Sequence, residues 1–186
     1  ADGASSGEAA AGAGAAASSD SLGSLPKEVV QAAARGNEAA LLAWIDGGGR
    51  VDAMYESGGV RGITLLMLAA DRGHERAVEL LLQRGAEISL QDSSGVTALM
   101  MAAGRGHERL VELLLQRGAE IDKQNRTGRT ALMLAAQQGH ERVLELLLHR
   151  GAEINMQSID GGTALLIAAY SGRPAVVLRL LRAGAD

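Results

Sequence analysis

The chain is 186 residues long, 47% apolar and acidic, with a formal net charge of -4 at pH 7 and no Phe, one Trp and two Tyr. That balance excludes the strongly basic face of a nucleic-acid binder and offers few rings for base stacking. The absence of cysteine excludes a disulfide framework, a thiolate nucleophile and a Cys-based zinc site, and suits an intracellular protein, cytoplasmic by default.

In chain order, residues 1–24 form a segment of their own, because 20 of the 24 are Ala, Gly or Ser. Such a composition cannot bury enough apolar surface to offset its ordering entropy, so this tail is expected to be disordered on its own. It has neither the basic end and apolar block of a signal peptide nor the arginines of a transit peptide. The folded part is expected from Ser24-Leu25-Pro26, where the fixed φ of proline suits a first helical turn. A short helix follows over Val29 to Arg35. Asn37 opens a second, which carries Trp44 and is closed by Gly47-Gly48-Gly49, where glycine can adopt the left-handed cap conformation. The connection after it, around Met54 to Arg61, is four residues longer than its later counterparts.

From Thr64 onward one unit recurs every 33 residues, at Thr64, Thr97, Thr130 and Thr163, with Gly73-His74, Gly106-His107 and Gly139-His140 in step. A fixed period in this range marks a stacked array of one small unit. Within a copy, Thr97 is placed to N-cap a helix over Ala98 to Arg105, ended by Gly106. His107 to Arg117 forms the next, with Leu110, Val111, Leu113, Leu114 and Leu115 on a wide apolar face. Asp122 to Gly128 supplies the turn residues of a hairpin-like tip. One pair of short helices cannot bury that leucine face alone, and stacked copies make a continuous core. The first copy, before Gly48, is a degenerate version of the unit, and Trp44 falls in the slot of Leu81, Leu114 and Leu147, a core position. The last copy departs too. Arg173-Pro174 replaces His-Glu, Leu178 takes the slot of Glu79, Glu112 and Glu145, and Arg179 that of Leu80, Leu113 and Leu146. Either this copy caps the array itself, or it presents a face to further repeats or to a partner. Apolar runs such as Ala164 to Tyr170 span about seven residues, against the roughly 20 of a membrane-spanning helix.

Over about residues 25–186 these features resemble the ankyrin-repeat family: the 33-residue period, Gly95-Val96-Thr97 before Ala102-Ala103, Gly-His between helices, and a leucine block followed by Gly-Ala-Glu-Ile. The resemblance implies an all-α solenoid of stacked antiparallel helix pairs with projecting hairpin fingers. Its repeats would lie at about 25–58, 59–91, 92–124, 125–157 and 158–186. It also implies a concave side and finger tips that bind protein partners. The Thr-Pro-Leu-His of the family reads Thr97-Ala98-Leu99-Met100 and Thr130-Ala131-Leu132-Met133 here, so an apolar contact replaces a polar link between unit and finger.

Catalytic chemistry finds little support. His74, His107 and His140 hold one structural slot per copy and so lie roughly 10 Å apart, whereas metal ligands sit about 2 Å from one ion. Gly47-Gly48-Gly49 and Gly58-Gly59 follow a helix and are not followed by Lys-Ser or Lys-Thr, which excludes a phosphate-cradling loop. No cofactor or metal is expected.

The partner-binding candidates are the positions that vary between copies. In the register of the family, the slots before each inter-helix glycine face the groove. They place Arg35, Arg72 and Arg105 in a basic stripe over the first three copies, continued toward the fingers by Arg61, Lys123, Arg126 and Arg129. Gln137, Gln138 and Tyr170 fill the far end. Such a stripe would steer an acidic partner segment, while the alternative reading is solvated arginines favoured by the helix dipole. Tyr55, in the long first finger, either anchors an interface or folds back onto Trp44. The expected function is a non-catalytic protein-binding adaptor or scaffold. The alternatives are a permanent subunit of a larger assembly and the regulatory domain of a longer enzyme or channel.

Overall fold

The computed structural model describes residues 25–186, and the expectation for residues 1–24 lies outside them. Ten helices appear among the described residues, in five consecutive pairs. They are α1 (Lys27–Arg35) with α2 (Glu38–Asp46), α3 (Leu65–Arg72) with α4 (Glu75–Gln83), α5 (Ala98–Arg105) with α6 (Glu108–Gln116), α7 (Ala131–Gln138) with α8 (Glu141–His149), and α9 (Ala164–Tyr170) with α10 (Pro174–Arg182). The first helices of the pairs pack against one another in sequence, α1 on α3 on α5 on α7 on α9, and the second helices form a parallel outer row.

Each pair begins and ends for local reasons. Thr64, Thr97, Thr130 and Thr163 stand in extended backbone, and each side-chain oxygen accepts the N–H of the residue three further on, as an N-cap should. Asn37 caps α2 in the same way, bonding Ala40 N at 3.2 Å. Gly36, Gly73, Gly106 and Gly139 end the inner helices in the left-handed conformation. α1 starts two residues before the expected Val29, directly after Pro26. At the end of α2 the left-handed residue is Gly48, φ 89°, and not Gly47.

The core is aliphatic and nearly continuous. In α3, α5 and α7 the alanines Ala69, Ala70, Ala102, Ala103, Ala135 and Ala136 are fully buried, which lets neighbouring inner helices approach closely. Met67, Met100 and Met133, in the place of the family histidine, are each 1% exposed and pack in this core. Trp44 is half-buried against the core, its ring lying over Gly49, where any β-carbon would collide with it.

The connections form the fingers. The first is a true hairpin of β1 (Met54–Ser57) and β2 (Val60–Thr64), antiparallel, with Tyr55 opposite Ile63. Gly58 and Gly59 turn it with φ 58° and 80°, the pair of positive values that a tight two-residue hairpin turn requires. The four extra residues of the sequence are therefore spent on strand pairing. The later fingers are held by side chains: Asp92 Oδ1 accepts the N–H groups of Ser94 and Val96, and Asn125 Oδ1 those of Thr127 and Arg129.

Candidate functional site

What fixes one helix pair to the next also determines which side chains remain free to bind. The Nε2–H of His74 donates to the carbonyl of Ala34 in the preceding pair at 2.9 Å, and His107 and His140 repeat the bond to Asp71 O and Gly104 O at 3.1 Å each. The histidine ladder is thus a set of structural rungs. Arg173, which replaces histidine in the fifth pair, donates Nε–H to Gln137 O at 3.0 Å and preserves the rung. Outer-row ion pairs run alongside: Arg84 to Asp46 at 2.8 Å, Arg117 to Glu79 at 3.2 Å and Arg150 to Glu112 at 2.8 Å. In the last pair Arg179 reaches both Glu141 and Glu145 of the preceding pair.

The groove lies between the inner helices and the fingers. Its floor is an apolar row of equivalent positions, Leu68, Met101, Leu134 and Ile167, of which the last three are half-buried. A depression of about 560 Å³ is lined by Asp71, Val96, Met101, Arg105, Leu134 and Gln138, among others. A second, of about 530 Å³, lies between the last two fingers, against Arg126, Arg129, Leu134 and Ile159.

The sequence candidates fall differently within it. Arg35, Arg72 and Arg105 do end α1, α3 and α5, but Asp71 sits between the last two. Its carboxylate holds Arg105 Nε at 2.7 Å and Arg72 Nε at 3.7 Å. The stripe is therefore part-neutralised, with Arg35 forming no ion pair among the described residues. Arg61 and Arg126 are exposed on their fingers, whereas Lys123 is drawn to Glu120 at 2.9 Å. Arg129 reaches from the finger to α7 and donates to Gln137 Oε1 at 3.0 Å, so these two candidates satisfy each other. Gln138 is exposed, and Tyr170 stands 96% exposed.

Tyr55 does not stand at the tip of the first finger. It sits on β1, short of the Gly58-Gly59 tip, half-buried against the core. Burial holds its phenol above the ordinary value, with Arg72 opposing that shift and Asp71 adding to it. Tyr55 thus lies within electrostatic reach of Asp71 and Arg72 at the end of α3.

Sequence reasoning missed the amide rungs of the fingers. Gln91 Nε2 donates to Gly95 O in its own finger at 2.6 Å and to Gln124 O in the next at 3.1 Å, and Gln124 repeats this with Gly128 O at 2.7 Å and Gln157 O at 3.0 Å. The 33-residue spacing of Gln91, Gln124 and Gln157 was the available signal. No group of three or more potential metal ligands occurs among the described residues, and no helix there is long and apolar enough to cross a membrane.

Helix pairs stacked in register, tied by a side-chain donor at each second helix and by bonds between fingers, define a helical-repeat solenoid. The chain belongs to the ankyrin-repeat family: the family model described as ankyrin repeats (3 copies) matches residues 29–125, 66–158 and 118–186. Ankyrin repeats are in general protein–protein interaction modules and typically non-catalytic. No curated protein matches this chain.

Proposed function

We propose that this chain is a non-catalytic adaptor or scaffold that binds an extended protein segment, acidic with interspersed apolar side chains, in the groove between inner helices and fingers. The observation that carries this reading is the depression in which Met101 and Leu134 lie with Arg105 and Asp71, Arg35 and Arg72 standing exposed at the ends of the two preceding inner helices. Apolar side chains of the segment would lie on the row, and carboxylates would compete with Asp71 for Arg105. An acidic partner approaching this strip is steered by it even though the whole chain is negative. A cytoplasmic setting is part of the same proposal.

A labelled peptide of alternating glutamate and leucine, titrated at low and at physiological salt, tests the reading. Exposed charge contacts are worth about 0.2–1 kcal/mol each, so Arg35→Glu, Arg72→Glu and Arg105→Glu together are expected to weaken binding about tenfold or more and to flatten its salt dependence. Asp71→Asn is expected to tighten binding severalfold, because it removes the internal competitor. Unchanged affinity and salt dependence in the triple variant would remove the proposal.

The apolar end of the array favours a second reading, in which the protein is a permanent part of a larger assembly. Leu166, Tyr170, Leu178 and Leu181 are 58%, 96%, 48% and 52% exposed there.

A further inference from the structure

Three residues beyond each residue of the groove floor, on the same helix face, lies a slot that changes with every copy. Asp71, Gly104, Gln137 and Tyr170 follow Leu68, Met101, Leu134 and Ile167 at that spacing, and Ala34 holds the slot in α1. Gly104 is the only glycine inside a helix among the described residues. Every other described glycine either has a positive φ or would place a β-carbon 3.0 Å or less from a neighbour. Gly104 meets neither condition. It lies within α5, its φ is not positive, and an added β-carbon would find only Leu134 Cβ at 3.7 Å, an ordinary contact.

Glycine inside a helix is less stable than alanine because it loses more chain entropy on folding. The fold therefore gives no reason for this residue, and what its missing side chain leaves is room. The depression of about 560 Å³ opens over it, lined by Met100, Met101 and Leu134 with Asp71 and Arg105. The side chains in the two neighbouring slots are already engaged, Asp71 with Arg105 at 2.7 Å and Gln137 with Arg129 at 3.0 Å, so neither is free to fill the space.

The lining favours a ring. Methionine sulfur makes favourable contacts with aromatic rings, and a guanidinium is attracted to their faces. Met101 and Arg105, three residues before Gly104 and one after it, supply both. The rim is cationic on balance, because Arg72 and Arg105 share the single carboxylate of Asp71. The chain has no Phe, one Trp and two Tyr, so a ring placed here comes from the bound segment.

We propose that the hollow over Gly104 is the specificity pocket of the groove, receiving one aromatic side chain of the bound segment with a carboxylate beside it at Arg72 and Arg105. This rests on the groove reading above and narrows its partner from an acidic, apolar segment to one that carries a ring at a fixed place. Gly104 sets which segment binds, at the expense of helix stability.

Two labelled peptides test it: the alternating glutamate-leucine peptide, and the same peptide with phenylalanine in place of its central leucine. The unaltered chain is expected to bind the phenylalanine peptide about threefold or more tightly than the other. Gly104→Ala narrows the hollow and Gly104→Leu fills it, and both keep the rung from His140, whose acceptor is the backbone carbonyl. The preference is expected to shrink with alanine and to vanish with leucine, while Gly104→Ala raises the thermal midpoint by about 1–4 °C. A preference lost from a stabilised protein separates a binding role from a structural one. A lowered midpoint in Gly104→Ala would show that the fold requires the glycine, and would overturn the proposal. If the leucine peptide binds but phenylalanine brings no advantage, or the advantage survives in the variants, the pocket is overturned and the groove reading stands. Failure of both peptides to bind removes the two together. Should Gly104→Leu not fold, the alanine variant decides by the same comparison.

Discussion

Each Gly-His pair joins two requirements in adjacent residues. Gly106 has φ 79°, and a β-carbon added there would sit 2.5 Å from His140 Nδ1 of the next pair, while Gly118 has φ 90° with nothing within 4 Å. Both pay for a left-handed alanine, about 1–2 kcal/mol, but only Gly106→Ala also pushes a neighbour out of place, for about 1–3 kcal/mol more. Urea unfolding should therefore rank Gly106→Ala well below Gly118→Ala. Tyr55 offers a second residue-scale check. With Tyr170→Phe in the background, the remaining tyrosine should titrate above the ordinary value of 10.0, because burial disfavours the phenolate, and Arg72→Ala should raise it further. A folded value above the unfolded one means that the contribution to stability is complete below pH 10 and is lost as pH rises through the folded value. Absorbance of the phenolate against pH measures it.

At the scale of the element, the inner helices are set by their caps and the fingers by amides. Thr97→Ala removes the oxygen that accepts Met100 N–H at 3.3 Å, and loss of an N-cap costs about 1 kcal/mol. Gln124→Ala removes donors to two carbonyls in successive fingers, for about 1–3 kcal/mol in total, and amide exchange should then quicken at Gly128 and Ile159 before it does so in α7. The caps were legible in the sequence, since Thr-Ala-Leu followed by Gly-His places a helix by local chemistry alone. The finger rungs were not read, because the partner of Gln91 lies 33 residues away in Gln124 and only stacking brings the two together. A separation of 34 residues likewise hid the pairing of Asp71 with Arg105, which turns a uniform basic stripe into a part-neutralised one. Tyr55 was misplaced because the four extra residues form a hairpin whose tip is glycine, leaving the aromatic near its base.

For the whole molecule, the repeat period carried the architecture: five pairs in one continuous aliphatic core. Stability in such an array is close to a sum of unit and interface terms, so a central defect such as His107→Ala, which opens the rung to Asp71 O, should lower the midpoint more than its equivalent at the end, Arg173→Ala. The proposed function is assigned to the positions where the copies differ, on the groove side. The most direct test of that claim maps the alternating glutamate-leucine peptide by backbone amide shifts. The account predicts perturbations at Asp71, Arg105, Leu134 and Gln138, with α4, α6 and α8 unmoved. Shifts confined to the outer row, around Arg76, Arg109 and Arg142, would contradict it.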